Sequence, residues 1–313
     1  MPSLNPIPID DASWKHGNVF LDDAQEVRIH YIDCPPYPDK PDRTEETNTI
    51  LLIHGFPNTS YQWRHVITPL AKAGYRVIAP DYRGAGESSH PANGFDKLTI
   101  ATDLHKLLHD HLNIKKSIHV VGHDIGGMIA HAYAAKFPDH TLSVTWGECP
   151  LPGSTPYESG FKNSPGMWHF TFHQQTDLPE ALVAGRERIY LKHFYDRLCV
   201  NPAAITPADL DHYVTSFAQP GGMRCGFELY RAFPRDARDN RRMLEERGRS
   251  KVPACSLSGE GSLLLQVAEE QTREFYESVE VATVEGSGHW CAEENPGGLV
   301  RKVMEFVGKY DKS

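Results

Sequence analysis

Residues 120–139, VVGHDIGGMIAHAYAAKFPD, run without interruption from an apolar β-branched stretch, through a glycine-bracketed acid, into a small-residue helical pattern. A strand that passes directly into a helix leaves the backbone a sharp elbow. Gly122 and Gly126, two positions either side of Asp124, let that elbow come close to its neighbours. Such a unit belongs in an α/β fold, a mostly parallel central sheet with helices on both faces, because the helix carries the chain back across the sheet. It also presents Asp124 at the sheet's carboxyl edge, where open α/β sheets place their ligands. A plainer reading, in which Asp124 only caps the following helix, stays open on this stretch alone.

The rest of the chain repeats the rhythm. ILLI at 50–53 ends at HGFPNTS, and YRVIAPD at 75–81 ends at YRGAGESS, each a buried strand followed by a glycine-containing loop. Between them YQWRHVITPLAKAG has helical spacing and stops at Gly74. LTIATDLHKLLHDHLNI reads as a helix, SIHVVGHD as a strand and turn, and TLSVTWGE as a strand. From about Cys149 to Glu246 the strand signal gives way to segments of helical length, and VPACSLSGE, VEVATVEGSGHW and GGLVRKVMEFVGKY then restore strand, strand and helix. The economical division is a core in two parts, 1–148 and 247–313, around a helical cap at 149–246. The N-terminus and the Pro-rich CPPYPDKPDRTEETN at 34–48 read as surface loops.

Composition removes several classes. The 313 residues carry 32 Lys plus Arg against 41 Asp plus Glu, a net charge of −9 with no basic stripe, so nucleic acid is not an expected partner. The start, MPSLNPIPIDDASWKHG, lacks the basic and apolar regions of a signal peptide, and no stretch approaches the ~20 apolar residues of a membrane span. A cytoplasmic protein is therefore the expectation. Six cysteines without a C-x-x-C pair suit reduced thiols. DYRGAGESS is not a G-x-G-x-x-G fingerprint, and no cofactor is expected. HKLLHDH sets His105 and His109 at i, i+4 with His111 nearby, but without an H-E-x-x-H glutamate or an obvious third ligand in chain order. It reads as a solvated helix face, with no metal.

Two further features turn the elbow into a candidate active site. HGFP at 54–57 follows a strand, so its loop amide, that of Phe56, can complete an oxyanion site with the amide of Ile125; His54 and Pro57 flank it. GSGHW at 286–290 places His289 in a glycine-rich loop after the last strand, giving a nucleophile, acid, histidine order. A carboxylate nucleophile is poor toward amides and esters. It can displace at an sp3 carbon bearing a strained ring oxygen or a halide, forming an ester.

HGFP, DYRGAGESS, GHDIGG and GSGHW together resemble the α/β-hydrolase superfamily, in particular the Asp-nucleophile branch that holds epoxide hydrolases and haloalkane and haloacetate dehalogenases. The likeness covers nearly the whole chain, helical cap included. It implies that a carboxylate orients His289. In many relatives that acid follows the strand before the histidine segment; here the position falls at Ser262, with Glu260 nearby but out of phase. In a second pattern, shared by haloacetate dehalogenases and one subgroup of epoxide hydrolases, the acid follows the strand after the nucleophile helix. Glu148 stands there, and is preferred.

The same subgroup implies a His and Tyr pair for ring opening. His169, beside Trp168 in the segment where most epoxide hydrolases carry a tyrosine, and Tyr230 are the matching residues, with Tyr157 and Tyr195 as substitutes and core packing as the plain alternative for Tyr230. Fluoroacetate-type enzymes place arginines directly after the nucleophile and three residues further on. Here those positions are Ile125 and Met128, so an epoxide is the expected small-molecule substrate. Hydrolytic dehalogenation, or a binding protein that kept the fold and lost the chemistry, are the alternatives. MRCGFELYRAF reads as a largely apolar helix, any exposed face of which could pair protomers in a homodimer.

Overall fold

The computed structural model describes residues 11–22, 26–37 and 48–311. Eight strands form one sheet: β1 (Lys15–Phe20), β2 (Arg28–Cys34), β3 (Thr49–Ile53), β4 (Arg76–Pro80), β5 (Ile118–His123), β6 (Thr141–Gly147), β7 (Ala254–Gly259) and β8 (Val279–Val284). Their spatial order is β1-β2-β4-β3-β5-β6-β7-β8. β1 and β2 run antiparallel at one edge, and every pairing from β4 to β8 is parallel. The central strands β3, β5 and β7 are buried at every residue, as strands covered by helices on both faces must be.

The chain after β3 turns one way to β4, and later returns to β5 on the other side, so the strand order reverses between β3 and β5. An open sheet splays into a crevice at such a point. The elbow and the HGFP loop both emerge there. Helices α1 (Ile67–Lys72), α2 (Lys97–Lys106) and α3 (Ile125–Lys136) cross between the early strands. Between β6 and β7 the described chain contains no strand. It forms α4 (Trp168–His173), α5 (Leu178–Val183), α6 (Glu187–Leu198), α7 (Pro207–Phe217), α8 (Gly222–Arg231) and α9 (Phe233–Arg247). Then α10 (Leu265–Phe275), α11 (Cys291–Glu294) and α12 (Pro296–Val307) complete the core.

Several sequence expectations need correction. No strand was expected before residue 50, yet β1 and β2 stand at the sheet edge. KHGNVF has no buried residue, so it lacks the apolar run by which a strand is read. The loop expected from residue 34 begins later, because Cys34 closes β2; the expectations for 1–10 and 38–47 lie outside the described residues. PEALVAGRERIYLKHFYDRL at 179–198, one of the segments of helical length, breaks at Gly185, with φ 75°. GGMRCGFELYRAFPRDARDNRRMLEE at 221–246, another, breaks before Pro234, which cannot donate into a helical turn. The apolar side chains of α8 are all buried within the chain, so that helix leaves no apolar face exposed.

Buried charge ties the inserted helices to the core. The Lys97 ammonium, on α2, lies 2.7 Å from Asp236 Oδ2 on α9 and donates to the Leu229 carbonyl, while the Lys97 amide donates to Asp236 Oδ1. Removing one partner would leave the other charge desolvated and unpaired. Asp236→Ala is expected to cost about 3–5 kcal/mol in urea unfolding, and a Lys97→Met/Asp236→Leu pair to recover most of that loss. A cost below about 1 kcal/mol for the single variant would show that water reaches the pair.

Candidate active site

The elbow folds as it does because its glycines leave no room for side chains. A Cβ on Gly126 would lie 2.2 Å from the Ile53 carbonyl oxygen, and one on Gly122 2.1 Å from that of Gly126. With α3 pressed onto the ends of β3 and β5, Asp124 is forced to φ 55° and ψ −126°. Such a conformation costs on the order of 1–3 kcal/mol in a non-glycine residue, and clusters at functional sites. Glu148, one residue beyond β6, also has a positive φ, 58°.

Asp124 Oδ1 accepts a hydrogen bond from the Phe56 amide at 2.9 Å, and the Ile125 amide donates to the same carboxylate. Burial raises the Asp124 pKa; the charge of His289 and the two amides pull it back, and the balance is a raised value. His289 Nε2 lies 3.8 Å from Asp124 Oδ2, and its Nδ1 lies 2.9 Å from Glu148 Oε2. A carboxylate at Nδ1 makes that nitrogen the N–H donor, so Nε2 turns its lone pair toward Asp124 in the neutral ring. Burial opposes charge on His289, but the Glu148 hydrogen bond and charge outweigh it, and the pKa stands above its ordinary 6.5.

Glu148 is held at both oxygens: Oε1 accepts from the Gly259 amide at 2.8 Å and Oε2 from the Ser262 hydroxyl at 2.7 Å. Ser262, at the position where many relatives carry the acid, is here a donor to it. Glu260 is exposed and accepts instead from the Gly286 amide, with no contact to His289.

These groups open onto a cavity of about 200 Å³ whose walls include Phe56, Asp124, His169, Tyr230, His289 and Trp290. His169 on α4 and Tyr230 on α8 meet edge to face with ring centroids 5.8 Å apart. Burial, foremost, pushes the His169 pKa down to about 3, so the ring is neutral near pH 7. Burial and then the Asp124 charge hold the Tyr230 phenol far above its usual range, so it keeps its proton.

Other predicted contacts fall outside this cavity. His54 is fully buried, its Nδ1 on the Gly55 carbonyl and its ring stacked on Tyr82, so it braces the loop instead of lining the cavity. Pro57 offers its carbonyl to the Tyr195 hydroxyl, which also commits Tyr195. Trp168 is 38% exposed and stacks on Phe194, and Tyr157 is buried against Phe170 and Phe233. Sequence reasoning missed His123, whose Nε2 donates to the His289 carbonyl at 2.6 Å. It also missed Glu294, which accepts from the Gly288 and Trp290 amides and so fixes the histidine loop. The acidic pair directly after GSGHWCA was the available signal.

A parallel sheet with an acid on a strand-to-helix elbow, a histidine after the last strand and amides converging on the acid defines an α/β hydrolase. Residues 48–175 match the family model of the alpha/beta hydrolase fold. The chain is 32% identical over 285 residues to a soluble epoxide hydrolase of Corynebacterium sp. (strain C12), covering 89% of this chain and 93% of that one. The chain belongs to the α/β-hydrolase family. Among solved structures, Cfl2 from Burkholderia cenocepacia matches with a TM-score of 0.85 at 32% identity over 94% of this chain and 96% of that one. The epoxide hydrolase CorEH matches with a TM-score of 0.81 at 28% identity, over 95% and 100%. No helix among the described residues is long and apolar enough to cross a membrane.

The raised His289 pKa rests on Glu148. In Glu148→Gln the ring would keep its burial and lose its carboxylate, so its pKa is expected to fall below 6.5, as read from an NMR titration of the histidine ring protons. An unchanged value would place the cause elsewhere.

Proposed function

We propose that the protein opens an epoxide to a vicinal diol through a covalent ester on Asp124. The observation that carries this reading is that one cavity is lined both by a carboxylate held by the Phe56 and Ile125 amides and by neutral His169 with protonated Tyr230. Relatives named epoxide hydrolases support the substrate class. One Asp124 oxygen attacks a ring carbon, the carbon–oxygen bond breaks, and the departing alkoxide takes a proton from Tyr230 with His169 assisting. His289 Nε2 then takes a proton from water as the oxygen adds to the ester carbonyl carbon. The two amides hold the oxyanion, and its collapse releases the diol and restores the carboxylate. The proton on His289 returns, through solvent or the product hydroxyl, to the phenolate. Residues 149–246 act in this reading as a cap that brings the proton donors to the core.

A haloacid substrate is disfavoured because Ile125 and Met128 are buried and apolar. Among the described cavity residues the one arginine, Arg197, is exposed on α6 and donates to the Gly166 carbonyl.

His289→Gln is expected to form the ester and hydrolyse it slowly. Intact mass after incubation with a panel of epoxides should show the mass of one whole epoxide, mapping to Asp124. An adduct from a halogenated compound, less hydrogen halide, would replace the proposed reaction with dehalogenation. An unmodified variant with an inert wild type would favour a binding protein. Tyr230→Phe should slow ester formation by about 10²-fold or more. Ester hydrolysis needs neutral His289, so its single-turnover rate should rise with pH and level off once the ring has lost its proton; a rate independent of pH would contradict His289 as the base.

A further inference from the structure

The histidine pair set aside for want of a third ligand acquires one on folding. His105 lies near the end of α2, and His109 on the wider turn Leu107–His111 that continues it. His140 comes from the link between α3 and β6. One ring nitrogen of each lies within 4.8 Å of the others. The rings crowd together, with centroids 4.3 Å apart for His105 and His109, 4.4 Å for His109 and His140 and 4.9 Å for His105 and His140. His105 Nε2 and His140 Nδ1 are 2.6 Å apart, so a hydrogen or a cation must stand between their lone pairs.

His109 is already set for coordination. Its Nδ1 donates to the Ile114 carbonyl at 2.6 Å, which leaves the lone pair on Nε2, 3.2 Å from the Tyr133 hydroxyl. An outer hydrogen bond that fixes the tautomer is a recurring feature of metal-bound imidazoles.

We infer that His105, His109 and His140 form a binding site for a divalent transition-metal ion of the imidazole-preferring class, such as Zn²⁺ or Ni²⁺. Zinc–nitrogen bonds of about 2.0–2.1 Å in a tetrahedral set place nitrogens about 3.3 Å apart. That lies between the closest and widest separations present, and His105 and His140 are exposed enough to adjust. The Tyr133 hydroxyl or a water would complete the set. The ion would pin the end of α2 to the α3–β6 link. His140 directly precedes β6 and Glu148 directly follows it, so the seven-residue strand separates the two by roughly 25 Å. The site takes no part in the proposed reaction.

The test is calorimetric titration of Zn²⁺, and separately Ni²⁺, into the untagged full-length protein. One saturable equivalent is expected for each ion, with a melting temperature that rises with ion concentration. His140→Ala and His105→Ala should each weaken binding by more than about 100-fold, beyond the loss typical of an outer-shell change, with an unaltered metal-free melting temperature showing that the variants fold. His111→Ala, exposed and outside the cluster, should leave binding unchanged. Absence of a saturable equivalent overturns the inference. So does one that survives both substitutions, which would point to the thiols.

Discussion

A carboxylate withdrawn from water drifts toward its protonated form, and a protonated Asp124 could not attack as the proposed reaction requires. The architecture around it supplies the charge with donors fixed in the backbone. β3 and β5 lie side by side in parallel with Ile53 level with Gly122, so the loops that leave them bring the Phe56 amide onto Asp124 Oδ1. The start of α3 supplies the Ile125 amide. Both depend on α3 sitting directly on the strand ends, and that closeness exists only because residues 122 and 126 carry no Cβ. The unusual backbone of Asp124 follows from this packing.

Around the cavity, neutral and charged groups are sorted by element. The core contributes Asp124, His289 and Glu148, whose interactions favour charge on the histidine; the inserted helices contribute His169 and Tyr230, which burial keeps uncharged. Environments that separate titrating groups in this way assign acid and base roles without a change of residue type. His123 adds a second neutral imidazole, its pKa pushed down to about 3 by burial, and it holds the His289 backbone without adding charge.

The parts of this fold legible in the sequence are those whose signal is local. The elbow, the buried strands near residues 53, 78 and 120 and the histidine loop announce themselves by contiguous apolar runs and glycines. β1 and β2 do not, since β1 has no buried residue and pairs only at the sheet edge. The placing of Glu148 beside His289 came from family resemblance, and its partners Gly259 and Ser262 stand more than a hundred positions away. Likewise Arg64, Glu293, Asp209 and Tyr213 form one buried network across the core and α7, and no window of sequence holds more than two of them. Such contacts are created by topology, so spacing along the chain cannot announce them.

The inserted helices leave the sheet after β6 and return at β7, and these are neighbouring strands paired in parallel. The entry and exit points therefore belong to one pair of adjacent strands, so an exchanged segment of different length would preserve the sheet's register. Glu148 is the first residue past the exit, which sets the boundary of any such transplant just after it. In the proposed reaction, that boundary divides the chemistry. Proton donation to the opening ring would be inherited from the donor segment along with its preferences, while attack by Asp124 and cleavage of the ester would stay properties of the recipient sheet.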